Sequence, residues 1–202
     1  MSKAPTFGRA TVETLSGNAV EPVIPDVARL RIAVFRDWPY LYEGDVDYER
    51  GYLQKFRDLP ESTVVVARDD ARIVGASTAL PMMKAGEEVI RPFRAAGLDP
   101  SEFYYFGESV LLPAYRGQGI GVAFFNHRED RARALGFRYA TFCAVDRRPD
   151  DPRRPKDYIP LDAFWTKRGY ARRPDLVTTF TWQEIGEPDE SPKPLTFWVK
   201  AL

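Results

Sequence analysis

One cysteine and one histidine are all that these 202 residues contain of thiol and imidazole chemistry. Cys143 alone forms no intramolecular disulfide and no multi-thiolate zinc site, and His127 alone removes the usual metal clusters and Ser-His-Asp catalysis. No metal site is expected. Net charge is lacking too. The 29 Lys and Arg balance 29 Asp and Glu, so no global field holds nucleic acid or an anionic membrane, and neither is expected as a partner. Long apolar runs are also absent: the longest purely aliphatic one, Val64 to Ala67, is far too short to span a bilayer. The opening stretch from Met1 to Ala10 has no apolar segment of signal-peptide length, so the chain reads as soluble and cytoplasmic.

What is present suits a globular protein. A hydrophobic share of 44% with 29% charged residues is enough for a real core, and the length fits one domain over residues 1–202. The 17 prolines exceed the usual share of roughly 5% and punctuate loops. Val27, Leu30 and Val34 recur at helical spacing within Pro25 to Phe35, and Tyr52, Phe56 and Leu59 repeat the pattern within Tyr48 to Leu59. Ser62 to Arg68 and Arg72 to Leu80 read as strands about the turn at Asp69-Asp70, after a first extended segment near Arg9 to Leu15. Glu87 to Ala96 reads as a helix stopped by Gly97. Phe103 to Leu112 reads as a strand kinked at Gly107-Glu108-Ser109, followed by a helix over Gly117 to Leu135 and a strand over Tyr139 to Val145. A short helix near Leu161 to Lys167 and strands near Val177 to Trp182 and Leu195 to Val199 complete a mixed α/β (α+β) order. A sheet with helices on both faces is the economical arrangement.

The segment from Glu108 to Gly121 carries the chemistry. A strand gives way to Gly117, Gly119 and Gly121 at the start of a helix, where the backbone approaches a ligand unhindered and unpaired N–H groups face outward. Such a cradle suits a phosphate or pyrophosphate, and the alternative is a glycine turn that only serves tight packing. Neither the dinucleotide spacing nor the nucleoside-triphosphate loop is present.

Arg116-Gly117-Gln118-Gly119-Ile120-Gly121 resembles the pyrophosphate loop of the GNAT superfamily of acyl-CoA-dependent N-acyltransferases, Arg/Gln-x-x-Gly-x-Gly/Ala. The likeness runs back through Leu111-Leu112-Pro113 and forward to Ala132 and Gly136. Ala163 to Tyr170 is similar to the family's late helix followed by Gly-aromatic, and the whole resemblance spans roughly Arg9 to Trp182. It implies a mixed, largely antiparallel central sheet flanked by helices, and an N-acetyltransferase that moves an acetyl group from acetyl-CoA to a primary amine of a small molecule or peptide by direct attack. Amides of Arg116, Gly117, Gln118, Gly119, Ile120 and Gly121 would cradle the CoA pyrophosphate. The main chain of Val110, Leu111 and Leu112 would pair with the pantetheine arm like an added strand. The Arg116 guanidinium could meet a phosphate directly.

Many family members place a tyrosine acid in the late helix, where this chain has Trp165, and an asparagine where it has Tyr158. Tyr158 and Tyr170 are the tyrosines nearest the vacated position and are the candidates for the acid. Glu108 lies where relatives put an acidic residue facing the cleft. It is the candidate base, because an alkylammonium of pKa near 10.4 must lose a proton before it attacks. The alternative is a carboxylate that only pairs with an arginine or water. Cys143 reads as an inert core thiol and His127 as a surface residue. Tyr40, Tyr42 and the run Phe103 to Phe106 could line an acceptor pocket or simply fill the core. The loop from Arg147 to Lys156 holds five basic and two acidic residues. It either closes over the acceptor, touches the CoA 3′-phosphate, or is a solvated, proline-stiffened loop. Rivals to the enzyme reading are a CoA-binding or sensing module without turnover and a partner subunit of a larger assembly. Oligomeric state stays open, with a homodimer among the options.

Overall fold

A computed structural model describes residues 6–202; the N-terminal run read for a targeting signal begins in residues 1–5, outside the described residues. The strands are β1 (Thr6–Phe7), β2 (Ala10–Leu15), β3 (Thr63–Asp69), β4 (Arg72–Pro81), β5 (Phe103–Leu111), β6 (Tyr139–Val145), β7 (Ala171–Trp182) and β8 (Ser191–Ala201). They form one eight-stranded sheet in the order β1-β2-β3-β4-β5-β6-β8-β7. Every pairing is antiparallel except β5 with β6, the two strands of the crossover unit legible in the sequence. The mixed, largely antiparallel sheet is thus the expected one.

The helices take up both faces. Helix α1 (Ile24–Phe35) starts with Pro25 in its first turn, where a missing N–H costs nothing, and α2 (Val46–Asp58) is capped by the Asp45 side chain accepting from the Tyr48 amide at 2.6 Å. With α3 (Glu87–Ala95) they cover a core built on Leu53, Phe56, Phe93, Phe103, Tyr105 and Phe197. Helix α4 (Ile120–Ala134) and the short α5 (Asp162–Lys167) lie on the other face, over Tyr104, Phe106, Phe142 and Trp198. Alternate β5 residues therefore feed opposite cores, as the two-residue period of a strand dictates.

Three boundaries differ from those read in the sequence. Helix α4 begins at Ile120 rather than Gly117, because Gly117 and Gly119 adopt left-handed backbone at φ +75° and +88° and stay in the preceding loop. Strand β7 starts at Ala171, with Pro174 accommodated where the register shifts between Arg173 and Val177. Strand β8 starts at Ser191. Its Pro192 and Pro194 lie beyond Val145, the last β6 residue in register, where a missing donor is tolerated, the Pro194 carbonyl still accepting from the Asp146 amide at 2.9 Å. No helix of the described residues is long and apolar enough to cross a membrane.

Candidate active site

Strands β5 and β6 are in register only from Phe103 to Tyr105 against Tyr139 to Thr141, yet β5 runs on to Leu111 and β6 to Val145. Past Tyr105 the two part company. The gap between them exposes one backbone edge of β5, while the other edge stays paired: Val110 lies opposite Ala76 and Leu111 opposite Gly75 on β4. An extended ligand entering the gap meets main-chain groups with no ladder partner.

At the mouth of this gap stands the glycine loop. Gly119 forms the N-terminal boundary of α4 without a side-chain cap, so amides of the first turn face outward. A Cβ added at Gly119 would sit 3.3 Å from the Phe7 ring in a left-handed conformation that side chains rarely adopt. The Gln118 side-chain Nε2 is tied back to the Ala114 carbonyl at 3.0 Å, and Arg116 Nε to the Leu111 carbonyl at 3.2 Å, leaving the loop amides from Gly117 onward uncovered. A pyrophosphate fits this cradle of glycine backbone and helix dipole.

The kink read at Gly107-Glu108-Ser109 is a β-bulge. Ser77 pairs with Ser109 but Ala79 pairs with Phe106, so Gly107 and Glu108 together oppose Thr78. Both turn toward α1 and α2. A Cβ on Gly107 would meet Thr78 Oγ1 at 2.6 Å and the Tyr52 hydroxyl at 3.0 Å, which is why only glycine fits. The Glu108 carboxylate is 95% buried, with Oε1 2.6 Å from Arg31 Nη1 and Oε2 accepting from the Tyr52 hydroxyl at 2.9 Å. The same Arg31 binds Glu49 through Nε, and that carboxylate is buried as well. Burial works against the Arg31 charge, but Glu108, Tyr52 and Glu49 more than offset it and hold the guanidinium above its ordinary pKa. Burial likewise pushes the Tyr52 phenol well above its usual range, with the Glu108 charge adding to the effect.

Around this group the tyrosines converge. Tyr40 packs at a tilt against Phe35, 4.6 Å between ring centres, and its pKa is raised by burial, then by the proximity of Cys143 and Tyr158. Tyr105 lies with its hydroxyl 3.5 Å from Cys143 Sγ. The thiol is pushed up to about 12, chiefly by burial, so it is un-ionised at neutral pH. Tyr158 stands edge-on to Trp38 at 6.1 Å, its phenol half-buried and raised by desolvation. Tyr42 sits nearer Glu49.

Of the three side chains read as acid and base, the fold therefore gathers Glu108 and Tyr158 on one side of the gap. Tyr170 requires correction. It is 2% exposed on the opposite face, among Phe106, Phe125 and Phe142, and donates its proton to Glu129 Oε1 at 3.1 Å. A phenol so enclosed has no route to the gap. Trp165 packs between Phe142 and Trp198 on that same face. His127 meets Thr14 Oγ1 at 2.8 Å at the surface.

The basic loop is neither free nor merely solvated. Glu184, 1% exposed, binds Arg147 at 2.6 Å and Arg153 at 2.5 Å, and Arg147 also donates to the carbonyls of Pro39 and Tyr40. Arg147 is consumed inside the protein and Arg153, 45% exposed, is paired at the surface with Glu184 and Asp151, so the reading in which they reach a CoA phosphate is not supported for them. Arg31, Glu49, Tyr52, Arg128 and Glu184 were not singled out in the sequence. Arg31 and Arg128 were detectable, because each is a charge at a core position of an otherwise apolar helical stripe, Val27 to Arg31 and Phe124 to Arg128.

Residues 28–155, more than half of the chain, match the acetyltransferase (GNAT) family. The chain belongs to that family. Family membership makes it an acetyltransferase with acetyl-CoA as co-substrate. Solved GNAT-type structures share its fold at low identity. A ribosomal-protein-alanine N-acetyltransferase from Brucella melitensis superposes with a TM-score of 0.61 at 14% identity, over 95% of this chain and 99% of that one. A GNAT superfamily phosphinothricin acetyltransferase from Sinorhizobium meliloti, in complex with acetyl-CoA, gives 0.59 at 17% over 96% and 89%. The Salmonella typhimurium protein yncA, solved with its cofactor acetyl-CoA, gives 0.59 at 13% over 96% and 94%. No curated protein sequence matches the chain at a significant level.

Proposed function

We propose that this GNAT-family chain transfers the acetyl group of acetyl-CoA to a primary amine by direct attack, in a ternary complex, with Glu108 as the base. What supports the reading is a buried carboxylate held by a bulge of β5, the strand whose edge beyond Tyr105 has no β6 partner. Acetyl-CoA supplies the activated acyl thioester. The loop amides from Gly117 to Gly121 hold the pyrophosphate, the Arg116 amide being bonded to the Pro113 carbonyl, and the edge of β5 that faces the gap around Val110 and Leu111 holds the pantetheine arm, the Leu112 amide being taken by the Val74 carbonyl. Glu108 receives the proton of the incoming ammonium. An ionised carboxylate has about four acceptor sites, and Arg31 and Tyr52 occupy two, so the base retains capacity. Tyr158, whose phenol stays protonated at neutral pH, donates to the departing thiolate in place of the tyrosine that Trp165 replaces. Alignment of amine, base and thioester in one gap accounts for the acceleration without a covalent enzyme intermediate.

Trp165, packed into the core, favours one rival: a module that binds CoA without turnover. Thiol release from acetyl-CoA, screened against amines, polyamines, aminoglycosides, amino acids and peptide N-termini, separates the two. Acceptor-dependent thiol release with an acetylated product is expected. Tight acetyl-CoA binding with no release across the panel sinks the enzyme reading and leaves the binding module.

A further inference from the structure

The core stripe of α4 that faces the sheet runs Ile120, Phe124, Arg128, Ala132, all at most 1% exposed, and its third member is charged. Burial of the Arg128 guanidinium pulls its pKa down to about 10, so the cation persists at neutral pH at a desolvation cost. Its bonds go to neutral oxygens. Nε donates to the Phe124 carbonyl at 3.1 Å, Nη1 to the carbonyls of Thr78 at 3.3 Å and Glu108 at 3.1 Å, and Nη2 to Ser109 Oγ at 2.8 Å. The plane of the group lies 4.2 Å from the Phe106 ring centre.

These acceptors are the bulge. Where two β5 residues oppose Thr78 alone, the ladder is locally disrupted, and buried carbonyls of Thr78 and Glu108 need another donor. A methionine or leucine would leave them unpaired. A lysine, a single point with three protons, cannot span the carbonyls of two strands and the Ser109 hydroxyl as a planar fork does.

We infer that Arg128 is a positioning residue for the reaction: by clamping the bulge from the far face of the sheet it fixes the backbone of Glu108, and so the aim of the carboxylate into the gap. The inference rests on the reading of Glu108 as base. Arg128 touches neither substrate nor reacting atoms; its effect passes through β5.

The test compares Arg128→Met and Arg128→Lys with Ser62→Ala, which removes another buried side-chain donor, bonded at 2.5 Å to the Phe56 carbonyl and lying before β3 rather than on the bulged pair β4 and β5. With the best amine of the screen, Arg128→Met should lose at least about tenfold in kcat and Arg128→Lys less, with KM for acetyl-CoA within roughly threefold, while Ser62→Ala loses melting temperature and keeps kcat. In a Glu108→Gln background, Arg128→Met should cost little more, since both act on one proton transfer. Wild-type kcat in folded Arg128→Met, or a loss additive to Glu108→Gln, overturns the inference. Glu108→Gln measured alone tests the base itself, so the two failures are distinguishable. Amide exchange of residues 106–111 covers the cases of no turnover or an unfolded Arg128→Met, with Ser109→Ala as the milder variant. Faster exchange confined to that segment supports the clamp, and unchanged exchange overturns it.

Discussion

Arg31 and Glu108 meet inside the protein with 2.6 Å between Nη1 and Oε1, and the same guanidinium is shared with Glu49. One buried cation thus serves two buried carboxylates, a group of net charge −1 that becomes neutral when Glu108 takes up a proton. Glu49 competes with Glu108 for the one guanidinium. Tyr52, Lys55 and Tyr40 face Glu108 from the same side, and Arg128 approaches it from the other.

Glu49→Gln leaves Arg31 to Glu108 alone and ties the base more closely to the guanidinium, so kcat should fall with little change in KM for acetyl-CoA. Glu108→Gln should lower kcat by about 10²-fold with little change in KM for acetyl-CoA. A raised kcat in Glu49→Gln, or wild-type kcat in Glu108→Gln, shows that the carboxylate only balances Arg31.

The second prediction concerns the cradle. Gly119→Val puts a branched side chain at φ +88° and drives a Cβ to 3.3 Å from Phe7. Acetyl-CoA binding should weaken by at least tenfold, on the order of 1.4 kcal/mol, by calorimetry on the folded variant. Unchanged affinity would place the pyrophosphate elsewhere.

The strength of the sequence signals explains what was legible. The glycine loop announces itself because backbone approach leaves no substitute for glycine, and the β5-α4-β6 crossover follows from strand, loop, helix and strand in order. The Glu108 position was readable only through resemblance; composition says nothing of a bulge, which depends on the register between β4 and β5. Tyr170 differs from its sequence reading because nearness to Trp165 along the chain is not nearness to the gap: Trp165 itself packs on the opposite face, in the same cluster as Tyr170. The basic loop was misjudged for a related reason: its partner Glu184 lies 37 residues beyond Arg147, the separation of the two sequence positions. Charge counted along the chain does not reveal charge consumed across it.

Cys143 supplies the third prediction. Its side chain lies within 3.5 Å of the Tyr105 hydroxyl, near Tyr40, so geometry alone would allow it to be mistaken for a nucleophile. Burial opposes that role by pushing the thiol up to about 12 and leaving almost no thiolate at neutral pH. Initial-rate plots should intersect rather than run parallel, and Cys143→Ala should keep most of its kcat. Parallel lines together with an acetylated Cys143 peptide in mass spectra would overturn direct transfer.

The last prediction treats the loop from Arg147 to Lys156 as a strut. Glu184 accepts from Arg153, forms an ion pair with Arg147 at 2.6 Å and lies 3.8 Å from Lys193, so it joins the loop to the β7-β8 hairpin, while Arg147 and Trp182 both donate to the Tyr40 carbonyl. Removing its charge leaves Arg147, 13% exposed, without its carboxylate. An uncompensated buried charge of this kind costs on the order of 3 kcal/mol. For a chain of this size that corresponds to a fall in Tm of roughly 10 °C in Glu184→Gln. Because Arg147 also pins Tyr40 beside the gap, KM for the amine should rise, whereas KM for acetyl-CoA should not. A rise in KM for acetyl-CoA, with Tm unchanged, would show instead that the loop's guanidinia reach the CoA phosphates.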